Sequence, residues 1–158
     1  LKSQNILKRN NQEMDKSSIK ISIVAAQFNE LIVESLIKSS VETLEKNGYQ
    51  SDPEIFRVPG AYELPLAAKN VAQKKQPNGI IALGAIVRGA TPHFDYIALE
   101  TASGLTRVSL DFNIPVGFGV LTCDTMEQAI ERSSEGSGNK GIESTEAVLG
   151  MIEFLEKL

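Results

Sequence analysis

The chain carries one histidine, His93, at the end of an unusual run. An apolar stretch, "ALGAIV" (82–87), stops at Arg88, and Gly89, Ala90, Thr91 and Pro92 then lead to the imidazole. The apolar stretch reads as a buried strand; Thr91 suits a helix N-cap and Pro92 the first helical position. His93 then falls in a first turn whose backbone N–H groups lack helical partners, and Gly89 and Ala90 leave the backbone bare to a ligand. Such a turn holds a phosphate without a strongly basic protein. An imidazole beside that phosphate can accept or donate a proton near pH 7. A surface histidine on an ordinary strand-to-helix turn is the competing reading of the same spacing.

Other residues with chemical potential sit at comparable places. Phe28 and Asn29 follow the run "IKISIVAA" (19–26), where an aromatic ring can stack on a flat heterocycle or cap the core. In "VPGAYELP" (58–65), Gly60 and Ala61 open a second helix, with Tyr62 and Glu63 in its first turn. Glu63 there can accept hydrogen bonds from a polyol or simply complement the helix dipole. Arg132 and Lys140 are candidate anion holders, although residues of their kind are most often solvated surface. Cys123 has no histidine beside it and reads as structural. One His and one Cys make no closed metal site, so none is expected. "GSGNKG" (136–141) matches G-x-G-x-x-G, but a dinucleotide fingerprint must follow a strand, and this one follows a helical stretch. It reads as a bend that presents Asn139 and Lys140.

The elements needed to position these residues alternate along the chain. Strands are expected at 19–26, 54–58, 79–87 and 114–120. Helices are expected from Asn29 to Gly48, over 61–75, from Pro92 to Asp111 and from Asn139 to Lys157, each with an apolar stripe such as Ile32, Val33, Leu36 and Ile37. "DTME" (124–127) carries a capping-box pattern with Asp124 as the cap. Strand and helix in turn call for parallel βαβ units with right-handed crossovers. The expected architecture is a three-layer flavodoxin-like α/β sandwich with a central four-stranded parallel sheet. In such sheets ligands sit at the carboxyl ends of the strands, a rule that picks out 27–29, 58–61, 87–91 and 121–124. Residues 1–18 are polar and unpatterned and read as a flexible arm, leaving 19–158 as a single domain.

Composition narrows the function classes. A net charge of -4 and a pI near 5.1 argue against nucleic acid or an anionic membrane as the main partner. No apolar run approaches the ~20 residues of a membrane-spanning helix. A single cysteine cannot form an intrachain disulfide, which makes the cytoplasm the expected compartment.

Taken in order, "FNE" (28–30), "VPGAYELPLAA" (58–68), "ALGAIVRGATPHFDY" (82–96), "PVGFGVLT" (115–122), "EQAIERS" (127–133) and "GNKG" (138–141) resemble the lumazine synthase family. They cover nearly the whole chain after residue 18. The resemblance implies cofactor-free condensation of 5-amino-6-(D-ribitylamino)uracil with L-3,4-dihydroxy-2-butanone 4-phosphate, giving 6,7-dimethyl-8-ribityllumazine, the riboflavin precursor, with phosphate and water. By motif, Phe28 would stack on the pyrimidine with Asn29 beside it. Gly60, Ala61, Tyr62 and Glu63 would line the ribityl side, and Ile86 and Val87 would meet the ring through their backbone. Gly89, Ala90, Thr91 and Arg132 would hold the phosphate, and His93 would transfer protons. The family site lies between subunits, so Phe118, Arg132 and Lys140 would reach toward a neighbour's pocket. The resemblance further implies a pentamer, an icosahedral 60-subunit shell in some members, an N-terminal arm on a neighbour's sheet, and riboflavin synthase as a partner. Gln27 stands where many relatives have Arg, and Cys123 where Thr is usual. A flavin-binding module without catalysis and a shell protein that only assembles are the competing expectations.

Overall fold

The computed structural model describes residues 14–158. Four strands, β1 (Ile21–Ala26), β2 (Glu54–Val58), β3 (Gly79–Val87) and β4 (Val116–Cys123), form one parallel sheet in the order β2-β1-β3-β4. Five helices connect and cover it: α1 (Glu30–Lys46), α2 (Leu64–Lys75), α3 (His93–Phe112), α4 (Met126–Ser133) and α5 (Lys140–Lys157). This is the expected flavodoxin-like sandwich. β1 is buried at every position because a central parallel strand is covered on both faces, whereas β2, at the edge, is mostly exposed.

Alternation along the strands sends side chains to two cores. On one face Ile23, Ala25, Ile81, Leu83 and Leu121 pack against Val33 and Leu36 of α1, Ala129 of α4 and Val148 and Ile152 of α5. On the other, Val24, Ile80, Ala82 and Val120 meet Leu64, Ala68 and Val71 of α2 and Leu105 and Val108 of α3. Fully burying one such aliphatic side chain stabilises the fold by about 1.5–3 kcal/mol, so both faces hold the sheet firmly under the loops at its carboxyl end.

Strand lengths decide where those loops leave room. β1 pairs with β3 only as far as Ala25 opposite Leu83, while β4 follows β3 to Val87 opposite Cys123. β3 therefore outruns β1, and residues 85–87 have no strand neighbour on the β1 side. The chain reverses strand order there, which makes this notch the topological switch point of the sheet.

Several boundaries differ from the sequence expectation. β4 runs to Cys123 rather than Val120. Helix α3 begins at His93 with Pro92 as its cap, because Pro92 has ψ of 3° and does not enter the helical region; Thr91 is not the cap, and no side chain caps the end. The capping box is present but one residue on: Thr125 accepts from the Gln128 N–H at 3.2 Å, and Gln128 Oε1 accepts from the Thr125 N–H at 3.3 Å. Asp124 is engaged elsewhere, by Arg88. Of the segment expected as an arm, residues 1–13 lie outside the described residues. Lys16–Ser18 form a single 3-10 turn capped by Asp15, and Met14 packs on the first core.

Candidate active site

A cleft of about 550 Å³ opens in the notch beyond β1. It is lined by Phe28, by Pro59, Gly60, Ala61, Tyr62 and Glu63, by Ala85, Ile86 and Val87, and by Gly89, Thr91, His93, Phe94 and Ile97. Loops after three strands thus converge on one space, as a carboxyl-edge site requires. No Lys or Arg among the described residues lines it.

Each wall has a local cause. The Gln27 N–H donates to Val58 O at 2.7 Å and the Phe28 N–H to Pro59 O at 3.1 Å, so the exits of β1 and β2 are laced together. Asn29 follows in the left-handed region (φ 59°), which Asn tolerates better than most residues. It precedes α1 but makes no side-chain cap; its Nδ2 instead donates to Ala85 O at 2.9 Å, bridging to the overhanging end of β3. That turn swings the Phe28 ring outward, where it is 71% exposed. An apolar ring so open at the mouth of a cleft has its face available for stacking.

The opposite wall is the 3-10 turn Ala61–Glu63. Thr101, fully buried on α3, donates through Oγ1 to Ala61 O at 3.2 Å and pins the turn to that helix. The Glu63 carboxylate folds back over Gly60, its Oε2 lying 3.2 Å from where a Cβ on Gly60 would stand. Past β3, Gly89, Ala90 and Thr91 are exposed, and His93 stands exposed at the start of the uncapped helix α3. The cleft therefore offers a stacking ring, a carboxylate, exposed strand backbone, free helix N–H groups and an imidazole.

The remaining candidates lie elsewhere on the chain. Phe118, Arg132 and Lys140 line a second hollow of about 350 Å³, together with Thr122, Cys123, Gln128 and Glu131. Its cations differ in commitment. Lys140 Nζ lies 3.2 Å from Glu143 Oε1, whereas Arg132 makes no ion pair with any described residue. Burial pushes the Cys123 thiol up, while the charge of Arg132 partly offsets this. Asn139 is not presented to a ligand: it is buried, caps α5 by accepting from the Ile142 N–H at 3.0 Å, and donates to Ser39 Oγ and Ser134 O, each at 2.9 Å.

The motif reading did not single out Ala85, Phe94 or Ile97 as lining residues. Phe94 and Ile97 follow His93 at one and four positions, so one helical face carries both into the cleft, and that periodicity is the signal that could have found them.

Comparisons with known proteins bear on the chain as a whole. Residues 18–156 match the family described as 6,7-dimethyl-8-ribityllumazine synthase. A curated relative of that name from Nitratidesulfovibrio vulgaris is 46% identical over 147 residues, covering 92% of this chain and 94% of the relative. With the match running through the elements that carry the cleft and the second hollow alike, the chain belongs to the 6,7-dimethyl-8-ribityllumazine synthase family.

Proposed function

We propose that the family's reaction, condensation of 5-amino-6-(D-ribitylamino)uracil with L-3,4-dihydroxy-2-butanone 4-phosphate to 6,7-dimethyl-8-ribityllumazine, proceeds in the β3 notch of one copy completed by a second. The pyrimidine stacks on Phe28, and its edge meets the backbone of Ile86 and Val87 beyond the end of β1. Asn29 sets that ring's position through its bond to Ala85. The ribityl chain runs along Gly60, Ala61 and Tyr62 and donates hydroxyls to Glu63. The phosphate rests on Gly89, Ala90 and Thr91 at the open end of α3, where unpaired N–H groups and the helix dipole favour an anion.

The observation that carries the reading is the division of charge. Among the described residues the lining of the cleft, with its open helix start, has no Lys or Arg. Arg132, a guanidinium with no ion-pair partner among the described residues, lies in a separate hollow with Phe118 and Lys140. Homo-oligomeric assembly is general to the family, and a neighbour's Arg132 supplies what the cleft lacks. Exposed apolar side chains, including Leu31, Leu66, Leu99, Leu110 and Ile130, also favour burial against other copies. Five copies in a ring, and a shell of sixty with riboflavin synthase associated, are the finer states we infer from the family. Among the described residues no helix is long and apolar enough to cross a membrane. A lone buried thiol fits the cytoplasm.

His93, at the phosphate end of the cleft, takes a proton as the amine adds to the ketone and returns one as water or phosphate leaves. Much of the acceleration comes from holding two reactive partners together, because amine and ketone condense without a base once aligned. The test is product absorbance from the two substrates with and without the protein. Saturable acceleration over the spontaneous background is expected; with both substrates verified intact, a rate equal to background would refute the reading.

A further inference from the structure

Arg88 leaves β3 immediately before the phosphate turn, yet it does not line the cleft. Its Nε donates to Asp124 Oδ1 at 2.8 Å and its Nη1 to Asp95 Oδ1 at 3.2 Å. The guanidinium carbon lies 4.3 Å from the centre of the Phe94 ring. The Arg88 backbone N–H donates to Cys123 O at 2.8 Å. One residue thus joins the end of β3, the loop entering α4 and the first turn of α3. The two residues that follow His93, Phe94 and Asp95, are both in contact with it.

Two properties separate this clasp from an anion site. Two carboxylates share one guanidinium, so the cluster is net negative, and the Phe94 ring covers one guanidinium face. A phosphate would have to displace a carboxylate to bind there. The clasp also replaces something the helix lacks, since no side chain caps α3.

We propose that Arg88 is a positioning residue for the condensation, holding the first turn of α3, and His93 with it, in place against the cleft. The inference rests on the reading of the cleft given above. All three side chains are 43–67% exposed, so the pairs contribute little to folding stability. A displacement of ~1 Å at a reacting group costs ~100-fold in rate. The clasp therefore matters to turnover far more than to stability.

The experiment compares the parent with Arg88→Gln, Arg88→Lys and the double variant Asp95→Asn/Asp124→Asn, as assembled proteins. It reads kcat, KM for each substrate, inhibition by inorganic phosphate, and Tm. In Arg88→Gln, kcat should fall ~10- to 100-fold, while KM for the phosphorylated substrate and phosphate inhibition stay within about threefold. The double variant should reproduce the kcat loss although Arg88 remains. Arg88→Lys should recover only part of the rate, because an ammonium cannot span two carboxylates as a planar fork does. Loss of phosphate inhibition in Arg88→Gln, with tighter phosphate binding in the double variant, would make Arg88 an anion ligand and overturn the proposal. Unchanged kcat in both would overturn it as well. Should Arg88→Gln fail to assemble, the double variant decides alone, since it keeps Arg88 and its backbone bond. A parent without saturable acceleration would instead remove the functional reading itself, which an active parent with unaffected variants leaves standing.

Discussion

At the scale of single residues, the described cations sort by what neutralises them. Arg88 is held by two carboxylates and Lys140 faces Glu143, whereas Arg132 has no ion-pair partner among the described residues. Arg132→Ala should therefore raise KM for the butanone phosphate by ~10-fold or more, the loss expected for a charge-assisted contact, while KM for the uracil changes little; steady-state kinetics on each substrate would show it. Equal loss on both would point to collapse of the hollow instead. His93→Ala should lower kcat by ~10- to 100-fold, at or below the usual worth of a general acid or base, with both KM values nearly kept, since alignment of the reactants survives the change. Cys123 adds a pH dependence. Its thiol is raised from 9.0, first by burial and with Asp124 adding to it, against the lowering effect of Arg132. The folded state then holds this proton more tightly than the unfolded chain does. The resulting stability is fully present below the unfolded thiol's pKa and is lost as pH rises through the folded value. Tm measured from about pH 8 to 10, the range in which an unfolded thiol titrates, should fall more steeply for the parent than for Cys123→Ala.

Among the elements, the start of α5 is seated on α1 by close backbone approach. A Cβ on Gly141 would stand 2.5 Å from Leu36 O of α1, a backbone atom that no rotamer change can move. Ser40 Oγ of α1 donates to Gly141 O at 3.2 Å across the same contact. Gly141→Ala should cost ~1–3 kcal/mol, as overpacking of a filled interior does. Gly150, further along α5, has nothing within 4 Å of its added Cβ, so Gly150→Ala should gain up to ~1 kcal/mol from helix propensity. Urea unfolding midpoints of the two variants, moving in opposite directions, would check both. Elements were also where the sequence was most legible. β-branched runs bounded by turn residues marked all four strands. The errors fell at the ends of β4 and at helix starts, where cap identity depends on which side chains neighbouring loops have already engaged. Asp124 was a plausible cap until Arg88 of another strand took it.

On the proposed reading, the cleft and the second hollow of the molecule are two halves of a site that neighbouring copies complete. If a neighbour's Arg132 completes each cleft, two impaired variants should complement one another. Phe28→Ala removes a stacking ring from the cleft and Arg132→Ala a cation from the hollow. Co-assembled from mixed unfolded chains, the two should regain part of the parent rate, because some interfaces unite an intact cleft with an intact hollow. Each variant refolded alone should remain slow. No recovery, with mixed oligomers demonstrated by mass spectrometry, would mean that the site belongs to a single copy.

The sequence by itself determined the class of fold and the kinds of chemistry at hand, because strand and helix periodicity and the glycine, proline and histidine run at 89–93 are local properties. It also carried the family resemblance that the comparisons support. Only the tertiary structure decided which candidates share a space. β3 outruns β1 by register, so residues 85–87 become a wall, and helical phase brings Phe94 and Ile97 beside them. Arg132 and Lys140, which the sequence marks only as candidate anion holders, fall in a different hollow. Register and the engagement of Arg88 by Asp124 arise from contacts between residues far apart in the chain, and no window of neighbouring residues encodes them.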